Sequence, residues 1–166
     1  MKVKVKKISE GAVLPYKKYD EDFCYDVVAT SCEEVAPNVY KYGLGLAFQI
    51  ERGNEIIEDM STDIWSDIRS IYTPSSPINL SLDFRPRSSV WQTGMVLSNC
   101  TGTIDELYTG EVSAVFYHIM PNMPKYEVGD RIGQIKIGVT FPIEFVEVEE
   151  LDKTARGTGG YGSTGR

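Results

Sequence analysis

Ile78-Asn79-Leu80-Ser81-Leu82-Asp83-Phe84 places an apolar side chain at every second residue, with polar ones between. Successive side chains of a strand point to opposite faces, so this stretch has one dry face and one wet face. The same period returns at Val3 and Val5 and at Ile135, Ile137 and Val139. Residues 39–50, 90–97, 112–120 and 143–148 are further runs rich in Val, Ile, Phe and Tyr, separated by Gly, Pro, Asn and Asp. About seven short strands imply an all-β barrel or jelly roll.

Residues 51–72 break the pattern. Ile56, Met60, Ile64 and Ile68 fall four apart, with Trp65 and Ile71 on a neighbouring stripe, which is helical spacing. Ser61 or Thr62 could cap a helix that ends before Pro74. The acids Glu51, Glu55, Glu58, Asp59, Asp63 and Asp67 outnumber the bases Arg52 and Arg69, so the expectation is an acidic amphipathic helix inserted on a β scaffold over residues 51–76. Its plain role is to pack Ile64, Trp65 and Ile68 onto the barrel; the alternative is a docking surface for a protein partner at 51–72.

The chain has 166 residues, the size of one domain. With 17 basic and 24 acidic side chains the formal charge is −7, which argues against a broad footprint for duplex nucleic acid or an anionic membrane. An anionic ligand must be held by local features. Cys24, Cys32 and Cys100 match neither a disulfide framework nor a zinc ribbon, so reduced thiols and a cytoplasmic location are expected. The basic residues 1–7 lead into no apolar segment, and no run approaches the roughly 18 apolar residues of a membrane span.

Several polar segments could carry chemistry. The tail, residues 156–166, offers unhindered glycine amides, the hydroxyls of Ser163 and Thr164, and the flanking guanidinium groups of Arg156 and Arg166, all suited to phosphate oxygens, while Tyr161 could lie on a planar base. Gly157, Gly159 and Gly162 satisfy G-x-G-x-x-G, but too few residues follow to form the helix that a dinucleotide fold requires. The bland alternative is a frayed terminus. Residues 99–112 form a turn-rich segment feeding a strand, in which Asp105 is either a turn former or a base. Arg85 and Arg87 beside Ser88 and Ser89 make a plausible anion grip. Residues 129–134 read as a β-turn followed by a salt-bridged edge. Zinc deamination and serine hydrolysis lack their motifs, and the one histidine, His118, sits in a strand-like run.

Taken together and in order, these segments resemble the five motifs of the trimeric dUTPases. Residues 24–29 (Cys24-Tyr25-Asp26-Val27-Val28-Ala29) resemble motif one, 85–89 motif two, 99–112 motif three, 129–135 motif four and 156–165 motif five. The resemblance implies a jelly-roll β-barrel (the dUTPase-like β-clip) over residues 1–154, a homotrimer with sites built from all three subunits, and a glycine-rich tail, 155–166, that closes over bound nucleotide. It also implies hydrolysis of dUTP to dUMP and pyrophosphate. Asp105 would be the base, and Tyr108 would pack against the deoxyribose. Asn99 and the hairpin backbone of Gly102, Thr103 and Ile104 would read uracil. Arg87, Ser88, Ser89 and Gln134 would contact phosphates, and Asp26 would reach Mg²⁺ through water. In the tail, Arg156 would take the γ-phosphate, Tyr161 would stack on uracil beside Gly162, and Ser163 and Thr164 would bond the terminal phosphates. A carboxylate is a weak base, so it supplies about 10²–10⁴-fold, with positioning supplying the remainder.

Three departures stand out: Cys24 replaces a usual glycine, Tyr161 a usual phenylalanine, and the spacing from Asp26 to Arg87 is long, the surplus coinciding with the acidic stretch. The alternatives are a dCTP deaminase, or a bifunctional dCTP deaminase and dUTPase of the same fold, and a nucleotide-sensing protein that acts through the 51–72 insert.

Overall fold

The computed structural model describes residues 1–52 and 78–159. Nine strands follow in order: β1 (Lys2–Lys7), β2 (Tyr25–Val28), β3 (Ser31–Ala36), β4 (Val39–Glu51), β5 (Asn79–Arg85), β6 (Met95–Leu97), β7 (Gly102–Asp105), β8 (Glu111–His118) and β9 (Arg131–Thr140). The alternating stretch around Leu82 is β5, with Leu80, Leu82 and Phe84 buried as the pattern requires. The expected all-β class holds. Among the described residues the only helical element is a 3₁₀ turn, Ser88–Gln92.

One sheet runs β1-β4-β8-β6, with β3 also paired to β4; the other runs β2-β9-β5-β7, and every pairing is antiparallel. Strand β4 serves the first sheet twice: its early residues pair with β3 and β8, its later ones with β1. The change of partner needs an irregularity, and the register slips between Gly43 and Ala47. Gly45 lies there at φ +63°, a conformation cheap only for glycine, and its amide donates to Glu111 Oε1 at 2.9 Å.

The inner faces of the two sheets make one core. Phe116 stands at its centre, edge-on to Tyr42, Phe84 and Tyr126 at centroid distances of 5.9, 6.3 and 5.4 Å. The Tyr42 hydroxyl donates to the Tyr126 carbonyl at 2.8 Å, and burial pushes its pKa upward.

Four expectations need correction. Residues 90–97 are not one strand: the 3₁₀ turn occupies their start and only Met95–Leu97 pairs with β8. The physical reason is Gly94, whose amide donates to Pro124 O at 3.0 Å and where a Cβ would stand 2.5 Å from Met120 O. Residues 143–148 form no strand, and among the described residues no strand pairs with them. Strands β2 and β3 exist where no apolar alternation marks them. Glu51, the expected first residue of the inserted helix, is the last residue of β4 and pairs with Lys4 at 3.1 Å; the expected insert from residue 53 to 76 lies outside the described residues. Among the described residues no helix is long and apolar enough to cross a membrane, and all three cysteines are free.

Candidate active site

Strand register brings three of the sequence motifs to one carboxylate. Asp26 on β2 stands opposite Gln134 on β9, and Gln134 stands opposite Arg85 on β5, so the three form a row across the sheet. Arg87 lies two residues beyond that row, at the entry to the 3₁₀ turn. Asp26 is buried, and it is satisfied by charge-assisted bonds: Oδ1 accepts from Arg87 Nε at 3.1 Å and from Gln134 Nε2 at 3.1 Å, while Oδ2 accepts from Arg131 Nη1 at 3.1 Å. Arg131 was absent from the expected site residues. Its signal was the turn before it, which forms as anticipated: Asp130 Oδ2 accepts from Glu127 N at 2.8 Å, and Gly129 takes φ +97°.

Around this corner lies a cavity of about 310 Å³ whose walls include Tyr16, Lys17, Lys18, Asp26, Arg87, Arg131 and Gln134. Two guanidinium groups and two ammonium groups against two carboxylates suit a polyanion. Ser88 and Ser89 follow Arg87 on the 3₁₀ turn, Ser88 exposed and Ser89 half-buried, without lining this cavity.

A second cavity, about 290 Å³, lies where the segment from Leu97 to Val115 crosses from one sheet to the other, β7 pairing with β5 and β8 with β4 and β6. Its walls include Asn99, Gly102, Thr103, Ile104, Asp105 and Tyr108, over a floor formed by Phe84 and Val112. Ahead of β7 the chain makes a tight bend in which Cys100 takes φ +57°. Gly102 lies opposite Phe84 of β5, where a Cβ would meet the Phe84 Cβ at 3.4 Å. After β7 a β-turn closes with Tyr108 N–H donating to Asp105 O at 3.0 Å. The Tyr108 ring then lies over Gly110, where a Cβ would stand 2.5 Å from Tyr108 Oη, and its hydroxyl donates to Glu111 O at 3.0 Å. The loop between β7 and β8 thereby sets a ring and a carboxylate, Tyr108 and Asp105, together in the cavity lining.

The two cavities share no lining residue. The structure therefore gathers Asp26, Arg87 and Gln134 in one place and Asn99, Gly102, Thr103, Ile104, Asp105 and Tyr108 in another. Of motif five, residues 156–159 are described: Arg156 Nε donates to Gly159 O at 2.9 Å, and Gly157 N–H donates to Thr154 Oγ1 at 3.1 Å. Tyr161, Gly162, Ser163 and Thr164 lie outside the described residues.

Comparison with known proteins bears on this arrangement. The dUTPase family model matches residues 56–165. The deoxyuridine 5'-triphosphate nucleotidohydrolase of Helicobacter pylori is 32% identical over 169 residues, covering 99% of this chain and 97% of its own. The chain belongs to the dUTPase family. The fold agrees: the dUTPase of Staphylococcus bacteriophage 80alpha, determined with dUpNHpp, superposes with a TM-score of 0.70 at 20% identity, over 99% of each chain. A variant dUTPase of phage phi11 of S. aureus, described with a structural Mg(II) ion, gives 0.62 at 18% identity, covering 92% of this chain and 100% of its own.

Among the described residues of this family member no three His, Cys, Asp or Glu side chains cluster around a common point. Asp26 nevertheless fits an outer contact to a hydrated Mg²⁺. A carboxylate has about four lone-pair positions, and the donors of Arg87, Gln134 and Arg131 occupy three of them. The position left free on Oδ2 can accept a bond from a metal-bound water.

His118 takes no part: its Nε2 lies 3.0 Å from Met123 O and its ring edge packs on Tyr40.

Proposed function

We propose that the chain hydrolyses dUTP to dUMP and pyrophosphate as a homotrimer. The triphosphate lies in the Arg87, Arg131 and Gln134 corner of one subunit, and the deoxyuridine in the Asn99–Tyr108 cavity of another. Asp105 accepts a proton from a water whose oxygen attacks the α-phosphorus in line; the bond from that phosphorus to the bridging oxygen breaks, and pyrophosphate leaves. Tyr108 packs on the deoxyribose, and Asn99 with the backbone of residues 102–104 reads uracil. Arg87 and Gln134, with the hydroxyls of Ser88 and Ser89, hold phosphate oxygens. The tail, residues 155–166, closes over the nucleotide, with Arg156, Tyr161, Gly162, Ser163 and Thr164 as its contacts. Asp26 would hold a hydrated Mg²⁺ through water, and the ion when bound would supply charge neutralisation for the triphosphate.

The observation that carries this reading is the convergence of Asp26, Arg87 and Gln134, from three separate motifs, on one set of hydrogen bonds. Assembly draws support from residues 141–151, where Phe141, Ile143, Phe145, Val146, Val148 and Leu151 all stand exposed, an apolar stretch suited to burial against another subunit.

The test is a panel of deoxynucleoside triphosphates with Mg²⁺, scored for pyrophosphate, monophosphate and ammonia. Pyrophosphate from dUTP alone supports the reading; ammonia from dCTP would move the chain to the deaminase branch. Asp105→Asn is expected to abolish pyrophosphate release while keeping affinity for dUpNHpp, and sustained turnover by this variant would refute Asp105 as the base.

A further inference from the structure

Glu106, the residue after Asp105, makes the tightest ion pair among the described residues. Its carboxylate receives the Arg52 guanidinium in a two-pronged grip, Nε to Oε1 at 2.6 Å and Nη2 to Oε2 at 2.5 Å. Both side chains are largely withdrawn from water, at 16% exposure for Arg52 and 20% for Glu106. The contacts extend further. Arg52 Nη2 also donates to Ile78 O at 2.8 Å, and Leu80 N–H donates to Glu106 Oε2 at 3.3 Å. Four points of the chain thus meet: the residue after β4, the residue before β5, the second residue of β5 and the turn after β7. Glu106 is also the second residue of the β-turn that begins at Asp105. Asp105 itself ends β7 opposite Ser81 of β5, so the grip on Glu106 braces the turn immediately after the paired strand end that carries Asp105.

We infer that Glu106 and Arg52 are positioning residues for Asp105, locking the turn that presents the carboxylate to the ends of the two strands flanking residues 53–77. The inference rests on the reading of Asp105 as the base. A loose turn after Asp105 would let this end of β7 fray from β5, and displacement of a catalytic group by about 1 Å can cost 10²-fold in rate. The fork geometry matters as much as the charge, because a planar guanidinium meets a carboxylate in one plane, whereas an ammonium does not. Arg52 is held above its usual pKa and Glu106 below its own, chiefly through their mutual hydrogen bonds, so both stay charged at neutral pH.

The experiment uses the full chain with dUTP and Mg²⁺, measuring kcat, KM, dUpNHpp affinity and oligomeric state for Glu106→Gln, Arg52→Lys, Arg52→Gln and the Glu106→Gln/Arg52→Gln pair. Glu106→Gln is expected to lower kcat about 10- to 100-fold while dUpNHpp affinity stays within about twofold. The double variant should be no slower than the slower single one, and Arg52→Lys should recover part of what Arg52→Gln loses. A kcat within about twofold of the parent for both Glu106→Gln and Arg52→Gln overturns the inference, as does loss of dUpNHpp binding in step with kcat, which marks a merely structural brace. Asp105→Asn runs alongside. If it is inactive while Glu106→Gln and Arg52→Gln are fully active, only the positioning role fails; if it turns over normally, the base assignment fails first.

Discussion

Asp26→Asn tests the corner where three motifs meet. The substitution keeps the shape of the side chain, removes its charge and turns one acceptor into a donor. The amide will settle with its oxygen toward Arg87 and Gln134 and its nitrogen toward Arg131, because Arg131 is the more exposed partner, at 43% against 24% for Arg87, and can swing into water. Breaking a fully buried pair costs about 3–5 kcal/mol and an exposed one about 0–1 kcal/mol. With Asp26 at 11% exposure and Arg87 at 24%, the loss should fall between these limits, at about 1–2 kcal/mol. For a chain of this size that is a fall in Tm of about 2–8 °C. The assay is thermal and urea unfolding of Asp26→Asn, Arg87→Gln and the double variant, at one fixed protomer concentration because assembly makes Tm concentration-dependent. The double-mutant cycle should return a coupling of at least about 1 kcal/mol; a value under about 0.5 kcal/mol, within ordinary non-additivity, would refute the claim that Asp26 and Arg87 act as one unit.

Gly110→Ala should push the Tyr108 ring off its seat and raise KM for dUTP about 5- to 50-fold with relaxed discrimination against UTP, checked by steady-state kinetics on both nucleotides; unchanged KM would show that the ring does not shape the sugar site. Truncation after Thr154 should cut turnover strongly yet leave the oligomer intact by light scattering, and a monomer instead would make the tail structural. The Arg52 guanidinium holds the Glu106 carboxyl below its usual range, so this pair adds stability above the unfolded pKa of about 4.3 and loses it as pH falls through the lower folded value. The stability gap between the parent and Arg52→Met should accordingly be flat from about pH 6 to 8 and close in acid, by urea midpoints at each pH; a gap that closes on the alkaline side instead would contradict the pairing.

Much of the barrel was legible because a half-buried strand writes its own period. Leu80, Leu82 and Phe84 announced β5, and Ile135 announced the buried face of β9. Strand β3 was illegible for the converse reason: every one of its residues is exposed, so neither face imposes an apolar position. Residues 90–97 misled because Val90 packs against the core from a 3₁₀ turn, an apolar residue serving burial without strand pairing. In the site, Asp26, Arg87 and Gln134 could be named from their motifs, and the register that sets Asp26 opposite Gln134 accounts for their meeting. Arg131 stands in motif four directly after the turn that marks it and was passed over there, whereas nothing local marks Arg52 and Glu106 as partners across 54 residues. Only folding brings such charges together.

The separateness of the two cavities has a genetic corollary. If the proposed site spans two subunits, a chain spoiled at Asp105 keeps a sound arginine corner, and a chain spoiled at Arg87 keeps a sound Asn99–Tyr108 cavity. Neither would support growth that depends on this enzyme, but co-expressed they would assemble mixed rings in which some boundaries join two intact halves. Interallelic rescue of that kind is the signature of an enzyme whose working unit is the seam between protomers.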